Sequence, residues 1–76
     1  EKERRLVLRM AGELPESMRD RLVEHDGERH VLALPDYADL EGILGELRRA
    51  GVVVEAMELR QADLEEVFLK VMGQGG

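Results

Sequence analysis

The chain has 76 residues, a formal net charge of −6, no cysteine and 3% aromatic residues. So short a chain allows one domain, which buries only about 60% of the surface its unfolded form exposes. The missing cysteine excludes disulfides and thiolate metal sites, and the acidic balance with almost no rings to stack on excludes ordinary nucleic-acid binding.

Residues 5–10, Arg-Leu-Val-Leu-Arg-Met, alternate, with Leu6, Leu8 and Met10 on one face. The pattern predicts a half-buried strand ended by Gly12. Leu14-Pro15-Glu16 opens a short helix, with Pro15 where its missing N–H costs nothing. Leu14, Met18 and Leu22 recur at i, i+4, i+8 and form its inner face. Residues 23–34 read as a hairpin turning at Asp26-Gly27, with the better strand running through His30, Leu32 and Leu34.

Pro35 stops that strand, and Asp36 or Asp39 caps a second helix. Its stripe is Leu40, Ile43, Leu44 and Leu47, and Gly51 ends it. Gly42 and Gly45 weaken this helix and are read as sites of close backbone approach. A strand follows over Val52–Leu59. Its phase is awkward, because Glu55 shares parity with Val53, Met57 and Leu59, which predicts a bulge or an exposed end. Asp63 and Glu66 form a capping box for a third helix with the stripe Leu64, Val67, Phe68 and Val71. Gly73-Gln74-Gly75-Gly76 reads as a frayed tail.

The order β-α-β-β-α-β-α predicts an α+β domain: a ferredoxin-like βαββαβ antiparallel sheet with an added C-terminal helix. Glu1 in place of Met makes residues 1–76 read as a fragment of a longer protein.

Candidate chemistry is sparse. Neither G-x-x-x-x-G-K-[ST] nor G-x-G-x-x-G occurs. His25 and His30 flank the predicted turn, with Asp26 or Glu28 as a third metal ligand on paper. A tight turn is expected to direct the two rings to opposite faces or opposite arms, so the pair reads as solvated side chains. Ser17 and Tyr37 are the only hydroxyl side chains, and Ser17 has the charged neighbours of an ordinary helix face. Glu65 and Glu66 point about 100° apart on a helix and read as surface and cap. Acylphosphatase-type chemistry uses an asparagine, and the chain has none. Heavy-metal carriers of this fold use Cys-x-x-Cys, and its RNA binders carry aromatics on the central strands; neither is present.

One segment resembles a known family. Gly51 and the apolar run after it, followed by Leu64-Glu65-Glu66-Val67-Phe68-Leu69, look like the C-terminus of ABC-transporter ATP-binding subunits. Ala62-Asp63 stands where that family has Pro-Ser, and Met72 where it has Thr before the final glycine. The specific match covers about a third of the chain.

The resemblance implies a non-catalytic C-terminal accessory domain in an export-type system, serving dimer contact or regulation of the ATPase. ATP and Mg would bind the parent nucleotide-binding domain, with no cofactor in this one. The implied partners are that domain, a second copy and, indirectly, the membrane permease, with no nucleic acid. The implied location is the cytoplasm, at the membrane through the complex. The alternatives from the residues are a free-standing ferredoxin-like small-molecule sensor, with residues 10–13 as its effector turn, or a dimerisation module.

Overall fold

A computed structural model describes residues 2–63. The described residues are α+β: a four-stranded antiparallel sheet with one α-helix on one face. β1 (Lys2–Met10) and a 3-10 turn (Glu16–Arg21) lead into β2 (Leu22–Asp26) and β3 (Arg29–Ala33). A second 3-10 turn (Tyr37–Asp39), α1 (Leu40–Arg49) and β4 (Val54–Asp63) follow. The strand order is β2-β3-β1-β4.

Directly opposed residues of an antiparallel pair share a face. Leu6 stands between Leu32 and Leu59, and Leu8 between His30 and Met57. This is the face that α1 covers. Leu6, Leu8, Met10, Leu14, Met18, Leu32, Leu34, Ile43 and Leu47 form one buried cluster, with Leu22, Leu40, Leu44, Val52 and Val54 packed around it. The predicted stripe of α1 is therefore the core face. The helix ends in a Schellman motif: the Gly51 N–H donates to the Arg48 carbonyl and the Val52 N–H to that of Leu47. Gly51 takes φ +77° there, a conformation that excludes most side chains.

The opposite face carries Val7 and the buried Val31 at its centre. Around them lie the ion pairs Arg5–Glu3, Arg9–Glu28, Arg29–Glu24 and Arg60–Glu58. Each is worth about 0–1 kcal/mol, and together they keep that face wet and charged.

The structure corrects several expectations. The first predicted helix is a 3-10 turn. Pro15 is extended (φ −54°, ψ 142°), and the Met18 N–H donates to the Pro15 carbonyl three residues back. Leu22, read as the third member of a helical stripe, leads β2 and pairs with Leu32, so only Met18 of that stripe lies in the turn. The hairpin loop is Gly27-Glu28, one residue later than Asp26-Gly27, because Asp26 pairs with Arg29 and Gly27 takes φ +57°.

Asp36 caps the second 3-10 turn, accepting from the Ala38 N–H at 2.9 Å, while Asp39 makes no side-chain cap to α1. A Cβ on Gly42 would meet nothing within 4 Å, and one on Gly45 only the Arg49 side chain at 3.4 Å, so neither marks a close backbone approach. The last strand starts two residues late and runs on to Asp63, the residue expected to cap a third helix. That helix and the tail lie outside the described residues.

Candidate functional site

Two features stand apart from the core: the outer flank of β4 and a cleft beside the turn after β1.

β4 is an edge strand, paired with β1 alone among the described residues. Its difficult phase resolves through a bulge. Arg9 pairs with Ala56 and Met10 with Val54, so Glu55 is the extra residue. The bulge resets parity: Val54, Met57 and Leu59 all join the core face, and Ala56 and Glu58 lie on the other. Met57 and Leu59 sit level with Leu8 and Leu6, which are fully buried, yet they are 48% and 44% exposed. The helix covers β3 and β1 and leaves this flank open. Val53, just before the strand, is 72% exposed. At the far end the Gln61 amide donates to the Tyr37 hydroxyl at 2.8 Å, and the Arg4 guanidinium lies 4.9 Å from the centre of the Tyr37 ring. These contacts tie β4 to the turn before α1.

The cleft has a volume of about 290 Å³ and is lined by Gly12, Glu13, Leu14, Arg19, Leu22, His25 and His30. A two-residue loop makes His25 and His30 direct cross-strand partners. They therefore lie on opposite arms, as one of the two expected arrangements has it, yet on the same face, and the expected solvated pair is corrected at His30, which is buried. The rings stack at 4.2 Å between centroids with 20° between planes. His30 is buried, and His25 is exposed. Nε2 of His25 lies 2.7 Å from the Gly27 carbonyl oxygen, and Nδ1 of His30 lies 2.9 Å from that of Glu28. A carbonyl only accepts, so those two nitrogens carry the protons, an assignment made from their partners. Both rings brace the hairpin loop.

Among the described residues the cleft lining holds no hydroxyl or thiol for a histidine to activate. Among the described residues no three metal-ligating side chains converge. What the cleft offers is hydrogen bonding and a cation, Arg19, to a small polar molecule. Ser17 hydrogen-bonds to the Glu46 carboxylate and tethers the first 3-10 turn to α1.

The family motif Leu64, Glu65, Glu66, Val67, Phe68 and Leu69 lies outside the described residues. Sequence reasoning missed the stacked histidines and the Tyr37–Gln61 tie. The first was within reach once a two-residue loop was counted out; the second joins residues far apart in sequence and left no local signal. No helix of the described residues is long and apolar enough to cross a membrane. No protein family, curated protein or solved structure matches the chain.

Proposed function

We propose that the chain is a non-catalytic C-terminal accessory domain of the ATP-binding subunit of an export-type ABC transporter, acting as a dimer contact or a regulator of the ATPase. The observation that carries this reading is the run Leu64-Glu65-Glu66-Val67-Phe68-Leu69, set behind Gly51 and an apolar strand as in that family. The half-exposed Met57 and Leu59 support it, because an accessory domain needs an apolar surface to meet its neighbour. On this reading ATP, Mg and hydrolysis belong to the parent nucleotide-binding domain, and the domain sits at the cytoplasmic side of the membrane through the complex.

The finer fold belongs to the same proposal. The order β2-β3-β1-β4 with every pair antiparallel supports a ferredoxin-like split βαβ arrangement, in which a 3-10 turn replaces the first helix. The coding sequence upstream of Glu1 tests the reading. A Walker A loop within roughly 200–250 residues, the size of one nucleotide-binding domain, is the expected result. An unrelated upstream domain would sink it.

One observation favours a second reading, a small-molecule sensor. The cleft lies beside residues 10–13, where such sensors of this fold bind effectors, and Gly12 and Glu13 line it. Its volume is at the lower limit for ligand pockets. Thermal-shift screening of amino acids and small carboxylates against the chain would reveal a ligand, and His30→Ala should abolish any such shift.

A further inference from the structure

We infer that the outer edge of β4 pairs with the same edge of a second copy, antiparallel and centred on Leu59, so that Glu58 of each chain faces the partner's Arg60. The inference deepens the dimer-contact reading above, and rests on it for its biological role; its geometry comes from β4 alone.

The two edges of the sheet differ. β2 is short, exposed and broken by a register shift between Leu22 and Glu24. Shortness and irregularity are how proteins blunt an edge. β4 is longer, and from Ala56 to Asp63 it runs in unbroken register with β1, with no proline and no lysine. Alternate residues of that run direct backbone N–H and C=O groups away from β1. This is the edge an incoming strand can use.

Charge then selects the register. In a two-fold antiparallel pair the opposed residues share a face, so the axis passes through a residue. An axis at Glu58 or Arg60 sets two like charges face to face. An axis at Met57 drives Leu59 against Glu55, the bulged residue. An axis at Leu59 places Glu58 opposite the partner's Arg60 twice, by symmetry, on the charged face. On the helix face it brings Leu59 against the partner's Leu59 and Met57 against the partner's Gln61. The half-exposed apolar flank is covered by its own image. Pairing ends at Glu55, where the bulge already breaks the ladder. Glu58 and Arg60 are within 2.9 Å of each other in one chain, with more than half of each side chain exposed, so both reach a partner without disturbing the core.

The test is sedimentation equilibrium of the 76-residue chain and two variants. The wild type should weigh about 17 kDa, twice the 8.6 kDa of one copy. Glu58→Arg alone and Arg60→Glu alone each set like charges opposite one another, and each should dissociate about tenfold more readily. An equimolar mixture of the two variants restores opposite charges across the axis and should return the dimer. Both variants lack the intrachain pair, so recovery on mixing reports only contact between chains. Circular dichroism confirms that both are folded.

A second arm uses the absence of cysteine. Leu59→Cys should form a disulfide dimer under mild oxidant, since paired Cα atoms about 4.5–5.5 Å apart lie within disulfide range. Glu24→Cys on the blunted edge should not. A monomeric wild type, variants that dimerise as well as wild type, or a mixture that stays monomeric would each overturn the inference. Those outcomes leave the accessory-domain reading standing, because that reading is tested by the upstream sequence.

Discussion

Replacing Gly42 by alanine should stabilise the domain, and the structure gives both sign and size. Gly42 lies inside α1 with a helical backbone and is exposed. A Cβ there meets nothing within 4 Å, so alanine adds no strain. Glycine in a helix interior costs about 1 kcal/mol relative to alanine, largely because the unfolded chain loses more freedom. For a domain of this size 1 kcal/mol raises Tm by about 4–8 °C. Gly51 is the internal control. It sits at φ +77° in the Schellman motif, where alanine costs about 1–2 kcal/mol, so Gly51→Ala should lower Tm by a similar or larger amount. Gly45→Ala should fall between Gly42→Ala and no effect, because the Arg49 guanidinium at 3.4 Å must yield slightly. Thermal unfolding followed at 222 nm reads all three. A lower Tm for Gly42→Ala would refute its placement inside α1, and a higher one for Gly51→Ala its placement in the cap that ends the helix.

Other outcomes follow from the same geometry. Leu8→Ala empties a fully buried site between β3 and β4 and should cost about 2–5 kcal/mol by urea denaturation. Since small domains are only marginally stable, this variant should be largely unfolded at 37 °C. Tyr37→Phe removes the acceptor for Gln61 and should cost about 0.5–1 kcal/mol, with no larger change because the contact is exposed. Isothermal titration of ATP into the chain should show no micromolar binding, as no phosphate loop is present in the sequence. The spacing of Leu64, Val67, Phe68 and Val71 predicts an inner stripe, so Phe68→Ala should cost about 3–5 kcal/mol, and an unchanged Tm would refute that reading of the stripe.

Much of the fold was written in periodicities. The alternation of Leu6, Leu8 and Met10 marked β1, and the stripe Leu40, Ile43, Leu44 and Leu47 marked α1, because each element has one apolar face to bury. Even the bulge was visible, as a parity conflict at Glu55. The misses have physical causes. The first helix failed because β2 claims Leu22, and edge pairing with Leu32 outweighs an i+8 apolar coincidence. The strand continues through Arg60-Gln61-Ala62 because β1 offers backbone partners as far as Lys2, and backbone pairing leaves no mark in hydrophobicity. The histidine stack depends on the loop position, since shifting the turn by one residue decides whether His25 and His30 face one another. Neither glycine of α1 marks a close backbone neighbour: a Cβ on Gly42 would meet nothing within 4 Å and one on Gly45 only the Arg49 side chain.

Amide hydrogen exchange along β4 tests most directly the proposed meeting of two copies at its outer flank. Alternate amides of the Ala56–Ala62 run point away from β1, so in a lone copy they exchange at the rates of an open edge. Measured at low and high protein concentration, they should become protected as concentration rises, while the β2 edge stays unchanged. Exchange at Ala56–Ala62 that is rapid and independent of concentration would contradict the account.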